Sequence, residues 1–390
     1  IKSIRPDIKI VLGGNTASQF YTSLIQKDYV DYIIRGDGEL PLSELCLGAS
    51  YIHNAVYKKK GQIVVNPIEY IQDQATSDVY LSNLEDILIT PDHLLYMDSA
   101  YIYIGKGCSQ RCIYCAGHSS VQKQLFSRAK PFIRSIELIR KDIQLLKPYI
   151  GTFLFDFDLI ESNTYQLFKK VFDGLDLNKH LCKFYIWKIP DAKFIKLVSE
   201  TFCHISLNLD VPCLSERMRR QLSEKWNIKC LFSNKDLLNF MDSCEQYENI
   251  EVKISTIGGL HHDSDAFAEE YALIDALYSD YTCFRGLDWE TLHAQPGAPI
   301  LKTCEKMDMY AEADDYDSFL SFSRRNQVRE IYPKLENLFY PAIRFNNDTY
   351  NDKVRTHFTN ILNLQQSYIE RQDQLKRRYT YRELDQYADI

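Results

Sequence analysis

The stretch Tyr101–His118, YIYIGKGCSQRCIYCAGH, decides how the rest of the chain is read. Its first residues, Tyr101-Ile102-Tyr103-Ile104, alternate aromatic and β-branched side chains, which predicts a strand that Gly105 and Gly107 bring to an end. Cysteines follow at Cys108, Cys112 and Cys115, spaced C-x3-C-x2-C. Thiolates on one tight loop can hold three irons of a four-iron four-sulfur cluster, which ordinarily takes four cysteines. The missing fourth ligand leaves one iron open, and an open coordination position is what metal catalysis uses. Tyr114, between the last two cysteines, is placed to pack beside whatever binds that iron. A plainer reading also fits: Cys108, Cys112, Cys115 and His118 form a Cys3His set suited to zinc. Zinc modules are usually small and self-contained, whereas this loop follows a strand and opens a long α/β segment.

The chain has 390 residues, 45% of them hydrophobic and 25% charged, which is the composition of a globular protein large enough for two or three domains. Its formal charge of −7 gives no global basic field, so nucleic acid is not an expected partner. No apolar run reaches the ~20 residues of a membrane helix, so no membrane association is expected either. The eleven cysteines are an odd number and, outside the loop, scattered in apolar runs, which suits reduced thiols and a cytoplasmic location. Ile1 sits inside an ongoing α/β pattern, which reads as an N-terminal truncation.

From 101 to 300, strand and helix candidates alternate, and such alternation predicts a parallel sheet with crossover helices. After the first strand, the candidates are Gly151–Asp158, Cys182–Lys188, His204–Val211, Ile250–Ile257 and Tyr281–Thr291, with a further weakly marked strand–helix pair in 226–247. Sites in such folds lie at the carboxyl ends of the strands. There, Asp156 and Asp158 alternate and so share one strand face, toward a ligand or toward solvent. Lys253 and Ser255 share another. His261-His262 is a tempting metal pair, but adjacent residues point apart.

The loop C-x3-C-x-Y-C resembles that of the radical SAM superfamily. In that family the three cysteines carry the cluster and the open iron is chelated by S-adenosylmethionine (SAM). Reductive cleavage of SAM then gives a 5′-deoxyadenosyl radical. The resemblance implies a partial (β/α)6 radical SAM barrel. It also implies that Asp156 and Asp158 face SAM or substrate. Leu207-Asn208-Leu209-Asp210, followed by Ser215-Glu216-Arg217, resembles the family's G-I-E-S-G-S-E-R, which implies Asp210, Ser215 and Arg217 as SAM contacts. Gly258-Gly259 resembles the turn that runs close to adenine, with Ser255 on the same strand, and Gln295-Pro296-Gly297-Ala298-Pro299 resembles the P-G-T-P landmark after the sixth strand.

Residues 1–46 read as strand, Gly13-Gly14, helix, strand and Arg35-Gly36-Asp37-Gly38-Glu39. They resemble the last part of the Rossmann-like cobalamin-binding domain that precedes many radical SAM cores, with Gly13 and Gly14 approaching the corrin. The D-x-H-x-x-G motif of many cobalamin proteins is absent, since no histidine precedes His53. The expected organisation is a cobalamin-type α/β part over 1–46, a linker over 47–95 with a hairpin at Ala55–Val65, a radical SAM core over 96–300, and a helical C-terminal region over 301–390. In that last region Ile361, Leu364 and Tyr368 form an amphipathic stripe. The resemblance implies a four-iron four-sulfur cluster and SAM as cofactors, with cobalamin as a candidate third. The implied activity is methyl transfer to an unactivated carbon of a peptide or natural-product-type substrate. Alternatives are cobalamin-independent radical rearrangement, cyclisation or bond formation on a peptide or small metabolite, and a zinc-stabilised binding protein without turnover. An electron donor such as flavodoxin or ferredoxin is the expected protein partner.

Overall fold

Alternating apolar and polar residues set the main sheet and decide which of its faces is buried. The computed structural model describes residues 1–80, 98–156, 164–226, 232–292, 295–311, 315–331 and 343–387. The N-terminal sheet contains β1 (Val11–Leu12) and β2 (Tyr32–Ile34), which are parallel, then β3 (Ala55–Lys59) and β4 (Gln62–Val65), added antiparallel. The hairpin expected in the linker therefore extends this sheet. Its Ala55 and Val56 are fully buried, and Tyr57 stacks on Tyr32 with ring centres 5.8 Å apart. The cross-strand aromatic pair and the buried apolar residues fix that register.

Strand β5 (Ser99–Tyr101) opens the central sheet, which continues with β8 (Thr152–Asp156), β9 (Leu181–Ile186), β10 (His204–Val211), β11 (Ile250–Gly258) and β12 (Phe284–Thr291). The spatial order is β12-β11-β10-β9-β8-β5, and every neighbouring pair is parallel. This is the parallel six-stranded sheet that the strand–helix alternation predicts. The first core strand ends earlier than expected. Gly105-Lys106 (β6) instead pairs antiparallel with Phe132-Ile133 (β7), and the helix that follows runs Ile136–Leu146. A Cβ at Gly105 would lie 2.0 Å from the Phe132 carbonyl oxygen, an approach only glycine permits. No strand intervenes between β10 and β11 in the sheet; residues 227–231, where the extra strand would fall, lie outside the described residues.

On β10, Ile205, Leu207, Leu209 and Val211 are buried against the helices, while Ser206, Asn208 and Asp210 occupy the other face. Phe155 of β8 stacks on Phe184 of β9 at 4.8 Å and meets Phe168 and Phe172 of the helix Thr164–Phe172 edge-on. Each such fully buried phenylalanine contributes about 2–3 kcal/mol of apolar burial. The C-terminal region is not wholly helical: β13 (Met309–Ala311) and β14 (Ile343–Phe345) pair antiparallel before the long helix Asp348–Tyr387. That helix buries Val354, His357, Ile361 and Leu364, spaced as one stripe. Tyr368 stacks on Tyr278 at 4.8 Å, and its hydroxyl lies 2.7 Å from Ser279 Oγ. Among the described residues, no helix is long and apolar enough to cross a membrane.

One carboxylate fastens the start of β12. Glu245 accepts from the backbone N–H groups of Thr282 (3.0 Å) and Cys283 (2.9 Å) and from the Thr282 hydroxyl. Burial alone would raise its pKa, but these hydrogen bonds outweigh it and hold the group at about 2 instead of 4.5. The ionised form is therefore favoured by folding above pH 4.5, and that stabilisation is lost as pH falls from there toward about 2. Glu245→Gln is expected to cost about 1–2 kcal/mol at neutral pH in urea unfolding. The gap to wild type should narrow at about pH 3; a gap independent of pH would refute this account.

Candidate functional site

The cysteine loop sits at the carboxyl end of the sheet and is held by backbone contacts on both sides. Cys115 N–H donates to the Cys112 carbonyl (3.1 Å), His118 N–H to that of Cys115 (3.1 Å), and Ser119 N–H to that of Gln110 (3.3 Å). From the far end of the core, Gln295 Oε1 accepts from Ala116 N–H at 2.7 Å, and Ile300 N–H donates to the Ile113 carbonyl at 2.8 Å. The Gln295–Pro299 turn thus clamps the loop. At Gly297 an added Cβ would meet Val121 and Leu125 of the following helix, Ser119–Phe126, and Gln19 of the N-terminal part, at 3.0–3.3 Å.

Backbone N–H groups point at two of the loop sulfurs. Gln110 N–H donates to Cys108 Sγ (3.3 Å) and Gly117 N–H to Cys115 Sγ (3.2 Å), which stabilises thiolate charge. Ligands on one tetrahedral zinc with 2.3 Å Zn–S bonds lie about 3.8 Å apart. Among the described residues, the only group of three or more candidate ligands lying within 4.8 Å of one another is Cys213, His261 and Glu270, so the three loop sulfurs do not all lie within that distance of one another. His118, the fourth member of the zinc set, uses Nδ1 to accept from Ser120 N–H (3.0 Å) and so caps its helix.

Beside the loop lies a cavity of about 360 Å³, lined by residues that include Tyr114, Cys115, Tyr185, Trp187, Asp210, Ser255, Glu290 and Gln295. Register brings them together: Asp210 is level with Ser255, and Ile257 with Glu290. Burial raises the Tyr114 phenol well above its ordinary pKa, with Cys112, Cys115 and Asp210 adding to the shift, so it stays protonated. Tyr114, Asp210 and Ser255 are thus assembled at one place with Cys115. Asp156 ends β8 level with Tyr185, and Asp158 lies outside the described residues.

Other expected site residues are engaged elsewhere. Ser215 is fully buried, caps its helix through Met218 N–H (3.3 Å) and donates to Glu269. Arg217 pairs with Asp263 at 2.9 Å and Glu269 at 3.4 Å. Neither lines the cavity. At Gly258 an added Cβ would lie 2.0 Å from Trp289 Nε1, so the space there belongs to the indole; Gly259 follows with φ +96°. Gly13 and Gly14 turn the chain from β1 into the helix Gly14–Gln19, and nothing lies within 4 Å of a Cβ added at Gly14. Tyr185, Trp187 and Glu290 carry no motif. The β9 alternation, with Cys182, Phe184 and Ile186 buried and Lys183, Tyr185 and Trp187 on the opposite face, is the one sequence signal that could have found two of them.

The chain matches no protein-family model and no curated protein sequence. Among solved structures it matches the radical S-adenosylmethionine methyltransferase TsrM from Kitasatospora setae, solved with cobalamin and a [4Fe-4S] cluster bound. The TM-score is 0.57 at 16% identity, over 80% of this chain and 61% of that one. The same enzyme solved with its tryptophan substrate and the SAM analogue aza-SAM also matches, with TM-score 0.57 and 15% identity, over 80% of this chain and 62% of that one. This chain spans about three-fifths of the length of those structures. With its cysteine loop at the carboxyl end of the parallel sheet, the chain has the fold of a radical S-adenosylmethionine enzyme.

Proposed function

We propose that this protein is a radical SAM enzyme that holds a four-iron four-sulfur cluster on Cys108, Cys112 and Cys115. We infer that its reaction is cobalamin-dependent methyl transfer to an unactivated carbon of a peptide or natural-product-type substrate. The observation that carries the reading is the cysteine loop opening onto a cavity walled by Tyr114, Asp210 and Ser255 at the carboxyl ends of the strands. When bound, the cluster supplies the electron that cleaves SAM, and cobalamin supplies the methyl-transfer chemistry. Asp210 and Glu290 give the cavity an acidic wall suited to a cationic sulfonium and its ammonium group. Tyr114 and Trp187 exclude water from it. Ser215 and Arg217 act from behind, holding the turn after β10 and the helix it opens. The open Gly13-Gly14 turn is the proposed place where backbone approaches the corrin. A flavodoxin- or ferredoxin-type donor supplies the reducing electron.

The test is product analysis of SAM after anaerobic reconstitution with iron, sulfide, hydroxocobalamin and a strong reductant. 5′-Deoxyadenosine together with S-adenosylhomocysteine is the expected result. 5′-Deoxyadenosine alone would move the reaction to cobalamin-independent radical chemistry. Neither product, with zinc instead of iron on the loop, would overturn the enzyme reading.

A further inference from the structure

Away from the cavity, three further ligand-type side chains converge in the interior, and none belongs to the cysteine loop. We propose that Cys213, His261 and Glu270 form a separate zinc site. It does not rest on the radical SAM reading. The candidate ligand atoms all lie within 4.8 Å of one another. They come from the turn after β10, the turn after β11 and the helix Ser264–Asp280, and the three residues are only 2%, 7% and 2% exposed.

The distances suit a metal better than a hydrogen-bond cluster. His261 Nε2 lies 3.4 Å from Glu270 Oε1, long for a hydrogen bond. It is close to the roughly 3.3 Å that separates nitrogen and oxygen ligands on tetrahedral zinc with bonds of 2.0–2.1 Å. His261 Nδ1 is buried with no hydrogen-bond partner, so the long contact at Nε2 is what fixes the ring, and ligation at Nε2 would replace it with a strong one. The outer shell is in place. Leu214 N–H (2.9 Å) and Ser215 N–H (3.2 Å) donate to Glu270 Oε1, the oxygen that faces His261, and His357 Nε2 lies 2.9 Å from Oε2. Phe267 covers the cluster, its ring 4.8 Å from that of His261 and 4.1 Å from that of His357.

The chemistry selects the ion. One thiolate, one carboxylate and a neutral imidazole around a divalent ion make an uncharged assembly, which burial favours, and this mixed donor set suits zinc. Three protein ligands leave the fourth position to water. His262 is not part of the site, because it turns away to stack on Tyr350 at 3.6 Å. The ion would tie the ends of β10 and β11, which carry Asp210 and Ser255, to the helix behind them.

The experiment is metal analysis of the full chain, reconstituted anaerobically so that the loop cysteines hold iron, then dialysed against a weak chelator. About one zinc per chain beside the iron is expected. Cys108→Ala/Cys112→Ala/Cys115→Ala should keep that zinc while losing iron, and adding Cys213→Ser or His261→Ala should remove it. Cobalt substitution should give a thiolate-to-cobalt charge-transfer band that Cys213→Ser abolishes. Zinc below a tenth of an equivalent in the iron-loaded chain would overturn the site. So would zinc retained in folded Cys213→Ser, or a cobalt spectrum without a thiolate band, which needs no variant to fold.

Discussion

Replacing Cys108, Cys112 and Cys115 together by alanine is expected to abolish iron binding and SAM cleavage while leaving the chain folded. The loop's path is set by backbone bonds that survive the substitution, among them Cys115 N–H to Cys112 O, Ser119 N–H to Gln110 O and Ile300 N–H to Ile113 O. Gln295 also holds Ala116 through a main-chain N–H, so it keeps its partner. Of the three cysteines only Cys112 is buried, and loss of one sulfur atom there costs about 1 kcal/mol or less. The bound iron should fall from about four per chain to background. 5′-Deoxyadenosine production should fall below detection, and the circular dichroism spectrum should be unchanged. Each single substitution should do nearly the same, because two thiolates do not hold a cluster that already lacks its fourth. Iron retained in the triple variant would place the cluster elsewhere. SAM cleavage at an undiminished rate would remove the loop from the chemistry.

The central place of the loop is legible in the amino-acid order alone, because its meaning lies in spacing along the chain. The same holds for the sheet: the alternation in His204–Val211 sets β10 to the residue, and Thr164–Phe172 is a helix as its pattern requires. Local pattern fails where a long-range contact decides the conformation. Tyr103 and Ile104 read as strand, but the chain bends at Gly105 so that β6 can meet β7. Glu290 reaches the cavity only through strand register, which no single segment encodes. Ser215-Glu216-Arg217 matches a ligand-binding pattern. Yet Asp263 and Glu269, some fifty residues on, pair with Arg217, and nothing local to the motif places that carboxylate pair. Gly258 reads as a turn beside a ligand, whereas the group it makes room for is the Trp289 side chain of the next strand.

Asp37 marks the largest gap between motif and structure, and its removal should be the most destabilising single change outside the apolar core. In the sequence it is the middle of an exposed-looking Arg-Gly-Asp-Gly-Glu turn. In the structure it is 3% exposed and faces Arg128, itself 4% exposed. Asp37 Oδ2 also accepts from Gln72 N–H at 2.8 Å, Arg128 Nη1 donates to the Gln72 carbonyl at 2.8 Å, and Lys106 Nζ lies 3.2 Å from Asp37 Oδ1. Lys106 stands two residues before Cys108, and Arg128 two residues past the helix Ser119–Phe126, so one carboxylate joins the N-terminal sheet to both sides of the cysteine loop and its helix. Asp37→Asn keeps the shape but leaves a buried guanidinium without its counter-charge, which costs about 3–5 kcal/mol. Replacing both partners, as in Asp37→Leu/Arg128→Met, removes the uncompensated charge and should recover part of that loss, the remainder being the Gln72 N–H and carbonyl left without these partners. Urea unfolding of Asp37→Leu, Arg128→Met and the double variant closes the cycle. The loss of Asp37 should also loosen the loop, so iron should dissociate faster from Asp37→Asn than from wild type under chelator challenge. A destabilisation under about 1 kcal/mol for Asp37→Asn would mean that water reaches Arg128, and the N-terminal sheet would then not be fastened to the cluster loop through this pair.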